Sequence, residues 1–596
     1  MRTVGEVLAV ALDHHRAGRL ADASALYSSL LAQEPDQPDA LHLLGVATAQ
    51  AGRAAEAEPL IARAIALHPG VADYHANHAQ VLDTLGRSDA ALTAYTQALR
   101  LNAGHPDALR NMARLLARLE RVTAAADALR ALVERTPEDL PTVAELARLC
   151  ERLGRPAEAE GWYRHILDRD PFNTLALNNL GELRRRAGDP AAAVGFLTRA
   201  VAAAPDAPLP RCALANTLTS LFRFEEAEEQ LREATRRRPN AMLPHRDLGV
   251  LLRLQGRTAE ALDAFRQAVA LVPTEPAANF GAALCLLRLG RYREGFDQYH
   301  WRWPSAARPA KHQGLPAWHH GNPAGLRLLV WHEQGVGDTL MCLRFLPLLA
   351  AAGAKLTIEV PASLAPLVAA QGYGAVVVDA QTPAPGSTAA PSPWDAQAPM
   401  MELPARFCPD PGTLRWSGPY LKVDPGRRTR WTQMLGPKRA LRVGLFWQGN
   451  PDFPDDHWRS PGLIPLLPLL DVPGVEFLSL QMGPAKSALT DPRIPPGRIR
   501  DAAASIRDWA DTAALIADLD LVIGSDSACI HLAGALGVPA FLLLSPTTDW
   551  RWHDSGDTSL WYPSLRLFRQ KRLGDWSHAV AAMKTALAER VGQRSN

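Results

Sequence analysis

The sequence predicts an all-α superhelix of helix hairpins over residues 4–303, followed by an α/β region built on parallel sheets. Two observations lead to this prediction. Glycine, proline and alanine recur in the first half with a step of 34 residues. From Leu326 onward, buried-type strands alternate with Gly-rich turns and helical stretches. A fixed period of this length indicates a stacked repeat, and strands alternating with helices indicate βαβ units.

The repeat is visible as three ladders with the same step. The glycine ladder, which only Glu120 and Phe222 interrupt, is Gly18, Gly52, Gly86, Gly154, Gly188, Gly256 and Gly290. The proline ladder is Pro35, Pro69, Pro137, Pro171, Pro205, Pro239 and Pro273. The alanine ladder is Ala23, Ala57, Ala91, Ala125, Ala159, Ala193, Ala227 and Ala261, with Gly295 on the ninth rung. Glycine tolerates the left-handed conformation that ends a helix, proline cannot continue one, and alanine fits a close helix crossing.

The ladders resemble the tetratricopeptide repeat, with Leu44, Gly45, Ala57, Ala64 and Pro69 at its signature positions. The resemblance covers eight full repeats and an atypical ninth, whose second helix runs into the aromatic segment 299–303. It implies a solenoid in which each hairpin gains stability only by stacking on its neighbours. It also implies a concave groove for an extended peptide or protein partner.

A peptide groove predicts particular residues on the first helix of each repeat. The sixth position is asparagine in three repeats, at Asn77, Asn111 and Asn179. An asparagine amide can pair with a peptide backbone as donor and as acceptor. The pattern resembles the asparagine ladder of protein O-GlcNAc transferases, although other residue types stand there in the remaining repeats. The alternative is that these are ordinary polar surface residues.

Composition excludes several classes of protein. The formal charge of +2, from 64 basic and 62 acidic side chains, gives no electrostatic reason for a nucleic-acid partner. The six cysteines are scattered without metal-ligand spacing, which favours free thiols in a reducing compartment. No apolar run approaches the roughly 18 residues of a membrane span. The cytoplasm is the expected location.

The second half reads as a linker and two α/β halves. The linker covers 304–325, and the halves cover 326–425 and 440–591. Strands are predicted in the first half at 326–331, 355–360, 375–378 and 400–403, with an exposed loop at 381–399. Strands in the second half are predicted at 441–447, 475–481, 519–524 and 540–544. Two doubly wound sheets would leave a cleft at the carboxyl ends of both sets of strands, where ligands bind in such folds.

The first motif with chemistry is the segment 332–338, which contains Gly335, Gly337 and Asp338. The glycines allow a sharp turn whose amides open a helix, a natural anion site. A dinucleotide fold would use Glu359 for a ribose, but Leu340 occupies its third glycine position. A simpler alternative is a tight turn in which Asp338 caps the helix.

The second motif runs from Gly524 to Pro539. A strand leads into Asp526, Ser527 and Ala528 at a predicted helix start, and His531 lies one turn further on the same face. This arrangement suits a diphosphate held by amides, a hydroxyl and an imidazole. The alternative is again a cap, with His531 as a packed helix residue.

Together the two motifs resemble the glycosyltransferase family of the ADP-heptose:lipopolysaccharide heptosyltransferases, and more closely bacterial proteins that fuse such a domain to tetratricopeptide repeats. The segments 443–451, 479–481, 549–552 and 561–570 share the resemblance. It implies a GT-B fold of two Rossmann-like halves, an inverting reaction, a nucleotide-sugar donor as substrate, and neither cofactor nor metal. A D-x-D motif, Asp518 and Asp520, spans a helix end and a strand and is interpreted as structural.

The resemblance also implies roles for individual residues. Asp338 would be the catalytic base. The donor would be bound by Gly335, Gly337, Gln448, Gln481, Asp526, Ser527, Ala528 and His531. Two family lysines are absent: Arg459 follows Trp458 in place of a lysine before it, and Met482 follows Gln481. The sequence thus predicts a sugar transferase that acts on a protein or glycan recruited by the repeats. The alternative is a non-catalytic repeat scaffold with a degenerate transferase domain.

Overall fold

The computed structural model describes residues 3–306, 311–312, 314–319, 321–378, 393–453 and 455–595. The chain divides into two compact units, Met1–Arg223 and Phe224–Asn596. The first unit is entirely helical. The second contains further helix hairpins and two parallel sheets.

Helix hairpins follow one another through residues 3–306, which the structure describes without a gap. The first unit holds α1 (Val4–Arg16), α2 (Leu20–Gln33), α3 (Pro38–Gln50), α4 (Ala54–Leu67), α5 (Ala72–Thr84), α6 (Ser88–Leu101), α7 (Pro106–Arg118), α8 (Val122–Val133), α9 (Leu140–Arg152), α10 (Pro156–Arg169), α11 (Thr174–Arg186), α12 (Pro190–Ala203) and α13 (Pro208–Ser220). The second unit begins with α14 (Phe224–Arg237), α15 (Met242–Leu254), α16 (Thr258–Leu271), α17 (Pro276–Arg288) and α18 (Tyr292–Gln298). A 3-10 turn, Tyr299–Trp301, and the short helix α19 (Arg302–Ser305) end the series. The predicted all-α repeat region is confirmed.

The glycine ladder marks a left-handed residue at the end of every first helix. All seven glycines have φ between +68° and +82°. The two rungs that lack glycine keep the same conformation, with φ of +58° at Glu120 and +60° at Phe222. The turn geometry is therefore imposed by hairpin packing, and at these two rungs a side chain is held in a conformation that costs about 1–2 kcal/mol.

The alanine ladder marks the closest contact between helices. All eight alanines are fully buried. On the ninth rung, a Cβ added to Gly295 would lie 2.6 Å from Leu287 Cγ, so the position there has no room even for alanine. The ladder thus records where two helices cross too closely for a larger side chain.

The α/β region holds ten strands and nine helices among its described residues. The strands are β1 (Arg327–Trp331), β2 (Lys355–Val360), β3 (Ala375–Val378), β4 (Ala396–Pro399), β5 (Leu441–Leu445), β6 (Val475–Ser479), β7 (Ile499–Asp501), β8 (Leu521–Ser525), β9 (Ala540–Leu544) and β10 (Leu565–Arg569). The helices are α20 (Val336–Cys342), α21 (Leu346–Ala351), α22 (Ala365–Ala369), α23 (Leu403–Phe407), α24 (Pro425–Leu435), α25 (Asp456–Arg459), α26 (Trp509–Ile516), α27 (Ala528–Ala535) and α28 (Ser577–Ser595).

The strands form two separate sheets in which every pairing is parallel. The first sheet has the order β3-β2-β1-β4 and the second the order β10-β9-β8-β5-β6-β7. Arg327 of β1 lies opposite Lys355 of β2, and Leu441 of β5 lies opposite Val475 of β6. The parallel sheets predicted for the second half are confirmed.

One predicted strand is wrong. Residues 400–403 form a 3-10 turn and the start of α23, whereas the strand lies just before them, at Ala396–Pro399, inside the segment predicted as a loop. Its residues are small, polar or proline, so the sequence lacks the apolar pattern of a buried strand. In the structure Gln397 accepts a hydrogen bond from Trp331 Nε1 at 2.6 Å. Pro399 is tolerated because β4 is an edge strand.

Strands β7 and β10 were not predicted. Most of the remaining predicted loop, 381–392, lies outside the described residues, as do residues 307–310, 313 and 320 of the predicted linker. Among the described residues, no helix is long and apolar enough to cross a membrane.

The last hairpins share a hydrophobic core with the α/β region. Tyr292 and Phe296 of α18 make edge-on ring contacts with Trp550, with centroids 5.7 and 5.6 Å apart. Helix α17 packs on the turn Trp550–Trp552. The compact second unit therefore starts at Phe224, well before residue 303, where the repeat pattern ends.

The left-handed rungs predict opposite effects of two matched substitutions. Glu120→Gly should raise the free energy of local opening of α7 and α8 by about 1 kcal/mol, because glycine adopts positive φ without strain. Gly154→Ala, on the next rung, should lower it for α9 and α10 by a similar amount, although nothing lies within 4 Å of the added Cβ. Native-state hydrogen exchange measures both. Equal signs for the two variants would contradict the conformational explanation.

Candidate functional site

A cavity of about 1200 Å³ lies within the second unit. The loops that follow β1, β5, β6, β8 and β9 line it, so it opens at the carboxyl ends of both sheets. Helices α15 and α17 of the repeats contribute another wall. All nine residues predicted in the α/β region line this one cavity: Gly335, Gly337, Asp338, Gln448, Gln481, Asp526, Ser527, Ala528 and His531.

Asp338 lies in the first turn of α20, and its side chain is 20% exposed to the cavity. One carboxylate oxygen accepts a hydrogen bond from the Gly335 amide at 2.8 Å, and the other pairs with the Arg551 guanidinium. Burial raises the pKa of Asp338, and the charge of Arg551 opposes that shift. Asp338 therefore caps the turn, as the simpler alternative predicts, and is also a carboxylate aimed into a cavity.

Gly337 allows helices α20 and α27 to approach each other. A Cβ added at Gly337 would lie 2.7 Å from His531 Cδ2 and 3.5 Å from Ala528 Cα. Any larger residue would push the Asp338 turn away from the Asp526 turn. The two motifs are thus adjacent in space, and this glycine is required for close packing.

Asp526 and His531 form a buried pair of titratable groups. The His531 Nε2 atom lies 3.8 Å from Asp526 Oδ1, and its Nδ1 hydrogen-bonds the Tyr562 hydroxyl at 2.9 Å. Burial raises the pKa of Asp526 to about 6. Burial and three nearby arginines hold the pKa of His531 well below its usual value. At neutral pH the imidazole is therefore uncharged.

The start of helix α27 is open towards the cavity. Its N-cap residue, Ser527, makes no side-chain capping hydrogen bond. Ser527, Ala528 and Cys529 line the cavity, and the helix dipole places partial positive charge there. The eight-residue helix thus presents amide donors beside Asp526 and His531.

The two glutamines differ in availability. Gln481 is buried, and its side-chain oxygen accepts from the backbone amides of Trp447 and Gln448, each at 3.0 Å. Its side-chain nitrogen donates to the carbonyls of Gln448 and Met482. Gln481 therefore shapes the loop after β5 from the cavity wall, whereas the half-buried Gln448 also lines the cavity and is the more accessible of the two.

Five arginines line the cavity, none of them predicted as a site residue, and two of the five influence the carboxyl groups of the predicted site. Arg551 is 4% exposed and ion-pairs with Asp338 and Asp549. Arg459 stacks over Phe453 at 4.5 Å and donates to Asp456 at 3.2 Å. Arg551 lies in segment 549–552, which carries the family resemblance, and Arg459 stands where the sequence departs from that family. These were the sequence signals that could have identified the two arginines. Arg459 supplies positive charge near Asp526, where it counteracts the rise in that residue's pKa.

The predicted peptide-groove residues lie in the first unit and are all half-buried. Asn77 hydrogen-bonds His42 at 2.9 Å, and Asn179 donates to the Tyr163 hydroxyl at 3.0 Å. These two amides have hydrogen-bond partners within the repeats. The peptide-groove role of Asn77, Asn111 and Asn179 stays a prediction.

The acidic residues of the dinucleotide-type and D-x-D motifs make contacts with other residues of the fold. Glu359 is fully buried and lies 3.0 Å from His312 Nε2. Asp518 and Asp520 accept hydrogen bonds from the Arg442 side chain and backbone amide, respectively. Within the described ranges, no group of three or more His, Cys, Asp or Glu side chains could hold a metal ion.

Asp526 predicts a pH-dependent stability difference. Its pKa of about 6 in the fold exceeds the unfolded value near 3.9. The protonated carboxyl therefore stabilises the fold at low pH, and this contribution is lost as pH rises through about 6. The free energy of unfolding of Asp526→Asn, relative to that of the wild type, should therefore increase by on the order of 2–3 kcal/mol as the pH rises from 4 to 8.

The measurement is the difference in thermal midpoint between variant and wild type at several pH values. Asp557→Asn, which removes an exposed carboxyl, is the matched control. A constant difference for Asp526→Asn across this pH range would contradict a buried, raised-pKa carboxyl.

Comparisons with known proteins support the repeat region. Two family models described as tetratricopeptide repeat match the chain, one over residues 77–139, 145–208, 212–276 and 255–299, the other over 14–81. Protein FlbA of Caulobacter vibrioides is 30% identical over 331 residues, which are 52% of this chain and 55% of FlbA. The chain thus spans about half the length of this relative.

Two solved structures are also similar to parts of this chain. One chain in the structure of Naa15/Naa10 bound to HypK-THB is 18% identical to this chain. The match covers 51% of this chain and 47% of the other, with a TM-score of 0.32. The C-terminal part of a TPR repeat-containing protein from Cytophaga hutchinsonii is 12% identical, covering 46% and 98%, with a TM-score of 0.33. The chain carries tetratricopeptide repeats, and these indicate a protein-interaction role.

Proposed function

We propose that this protein is a glycosyltransferase that moves a sugar from a nucleotide-sugar donor to a hydroxyl of a protein or glycan acceptor. The supporting observation is the convergence of both predicted motifs on one cavity at the carboxyl ends of two parallel sheets. Its volume of about 1200 Å³ exceeds that of a typical small-molecule pocket and leaves room for a donor and part of an acceptor. Two parallel sheets facing one cavity are what the GT-B resemblance implies.

The donor diphosphate would bind at the start of α27. The uncapped amides of that helix, the Ser527 hydroxyl and the Arg459 guanidinium supply hydrogen bonds and positive charge. These groups would stabilise the negative charge that develops on the departing nucleoside diphosphate. They provide, in this metal-independent proposal, the charge that a cation supplies in other transferases.

Asp338 would act as the base. The acceptor oxygen attacks the anomeric carbon as the bond to the diphosphate oxygen breaks, and the hydroxyl proton passes to the Asp338 carboxylate. The electron pair of the broken bond leaves with the nucleoside diphosphate, and attack opposite to it inverts the anomeric carbon. Arg551 keeps Asp338 ionised in a buried site and orients it, because it pairs with one of its oxygens.

A non-catalytic repeat scaffold is the second candidate function. It is favoured by one observation: both oxygens of Asp338 already have partners within the chain. In that case the cavity would bind a nucleotide weakly or not at all, and the repeats would carry the whole function. Nucleotide binding separates the two candidates.

Calorimetric titration with ADP, UDP and GDP is the first test. One nucleotide should bind selectively with a micromolar dissociation constant, and the double variant Asp526→Ala, His531→Ala should lose that binding. The exposed double variant Asp557→Ala, His578→Ala controls for the change in composition. Absence of binding by all three nucleotides would favour the scaffold.

Asp338→Asn tests the base. The amide preserves an acceptor for the Gly335 amide but cannot take a proton, so kcat should fall by about 10²–10⁴. Donor affinity, measured by calorimetry, should change little. Asp549→Asn removes the other carboxylate paired with Arg551 and should retain far more activity. Equal losses of donor affinity and kcat in Asp338→Asn would remove the assignment as base.

A further inference from the structure

We infer that the end of the last repeat, Tyr299 and Arg302, is a positioning element of the reaction centre that holds the loop carrying Asp338. The inference rests on the proposed function, and it extends the catalytic apparatus beyond the α/β region. The sequence-based division ends the repeats at residue 303 and assigns them the recruitment of the acceptor; a role in holding Asp338 is additional to that.

Arg302 contacts the loop after β1 through a buried ion pair with Glu333. Its guanidinium donates to both carboxylate oxygens of Glu333, at 2.6 and 3.2 Å. The two side chains are 5% and 1% exposed. The Glu333 carboxylate also accepts from the Met401 amide at 3.0 Å, and Arg302 stacks over Trp303 at 4.5 Å. A two-point contact between planar groups fixes orientation as well as distance.

Tyr299 holds the next residue of the same loop. The Gln334 side-chain nitrogen donates to the Tyr299 hydroxyl at 3.1 Å, and the Tyr299 ring packs against Phe280 of α17. Gly335 follows immediately, and its amide donates to Asp338. The repeat end is thus linked to Asp338 through three consecutive loop residues, 333–335.

The same repeat also holds the loop that supplies Arg551. Arg288 at the end of α17 donates to the carbonyls of Pro546 and Thr548, at 2.8 and 3.3 Å. The Tyr292 hydroxyl hydrogen-bonds His553 Nε2 at 3.0 Å. The two chain segments that orient Asp338 are therefore both attached to one hairpin, so a displacement of that hairpin would move the carboxylate relative to a bound acceptor.

The test uses the full chain with the double variant Arg302→Met, Glu333→Gln. Both charges are removed together, so neither remains buried without its partner. We expect kcat to fall roughly 10²-fold, the loss that follows from misplacing a reacting group by about 1 Å. The KM and the calorimetric affinity for the donor should stay unchanged, because the start of α27 is untouched. Deuterium uptake in residues 332–338 should increase.

The matched control is Arg293→Met, Asp410→Asn, which removes an exposed ion pair of 3.3 Å that joins the same hairpin to the α/β region. It should change neither kcat nor the uptake. Tyr299→Phe, which keeps the ring and removes only the hydroxyl, should give a smaller loss of kcat in the same direction.

Three outcomes are distinguishable. Unchanged kcat and unchanged uptake in the Arg302→Met, Glu333→Gln variant overturn the positioning role. Equal losses of kcat and donor affinity overturn it as well, because they indicate general disruption of the unit. If the wild type transfers no sugar, the proposed function fails, and the uptake at 332–338 still decides whether the repeat end holds this loop.

Discussion

A helix hairpin of this kind cannot bury its own apolar face, and the whole second unit depends on how that constraint is met at the end of the repeats. Stacked hairpins cover one another, but the last needs a cover of a different kind. Here the α/β region provides it: Tyr292, Phe296 and Tyr299 join the same core as Trp550 and Trp561. The last repeats and the sheets are consequently one compact unit, and one wall of the cavity is made of repeat helices.

The electrostatics of the cavity follow from this burial. Two carboxyl groups, Asp338 and Asp526, lie where desolvation favours their neutral forms, and both have raised pKa values. Arg551 and Arg459 counteract the shift at each one, respectively. Opposing contributions of this kind are typical of sites in which a proton is transferred or a charged ligand is bound, although structural ion pairs produce them too. The neutral His531 between the two turns adds no further charge at pH 7.

Much of the fold could be predicted from spacing alone, because the 34-residue period and the buried strands are properties of the residues themselves. Strands β2, β3 and β9 have the predicted bounds. Strand β4 could not be found in this way, since its residues are small, polar or proline and its place depends on pairing with β1. The convergence of the two motifs was predictable from the rule that ligands bind at the carboxyl ends of parallel strands.

The functions of individual side chains were harder to predict. Gln481 looks like a ligand-binding residue in the sequence, but its side chain hydrogen-bonds the backbone of Trp447 and Gln448 in the loop after β5. Arg302 lies at the end of the atypical ninth repeat, where the repeat pattern no longer predicts the role of a residue. Its partner Glu333 lies 31 residues further along the chain. Such pairings depend on tertiary contacts that periodicity does not describe.

The division of the chain at Phe224 has a consequence for how such proteins can change length. Duplication or loss of whole 34-residue hairpins within the first unit would leave every contact around the cavity intact, because the residues that line it begin in α15 of the second unit. The same change within α15–α18 would remove part of the cavity wall. Natural variation in repeat number should therefore be concentrated upstream of Phe224, where the repeat series can be lengthened or shortened without altering the residues that line the cavity.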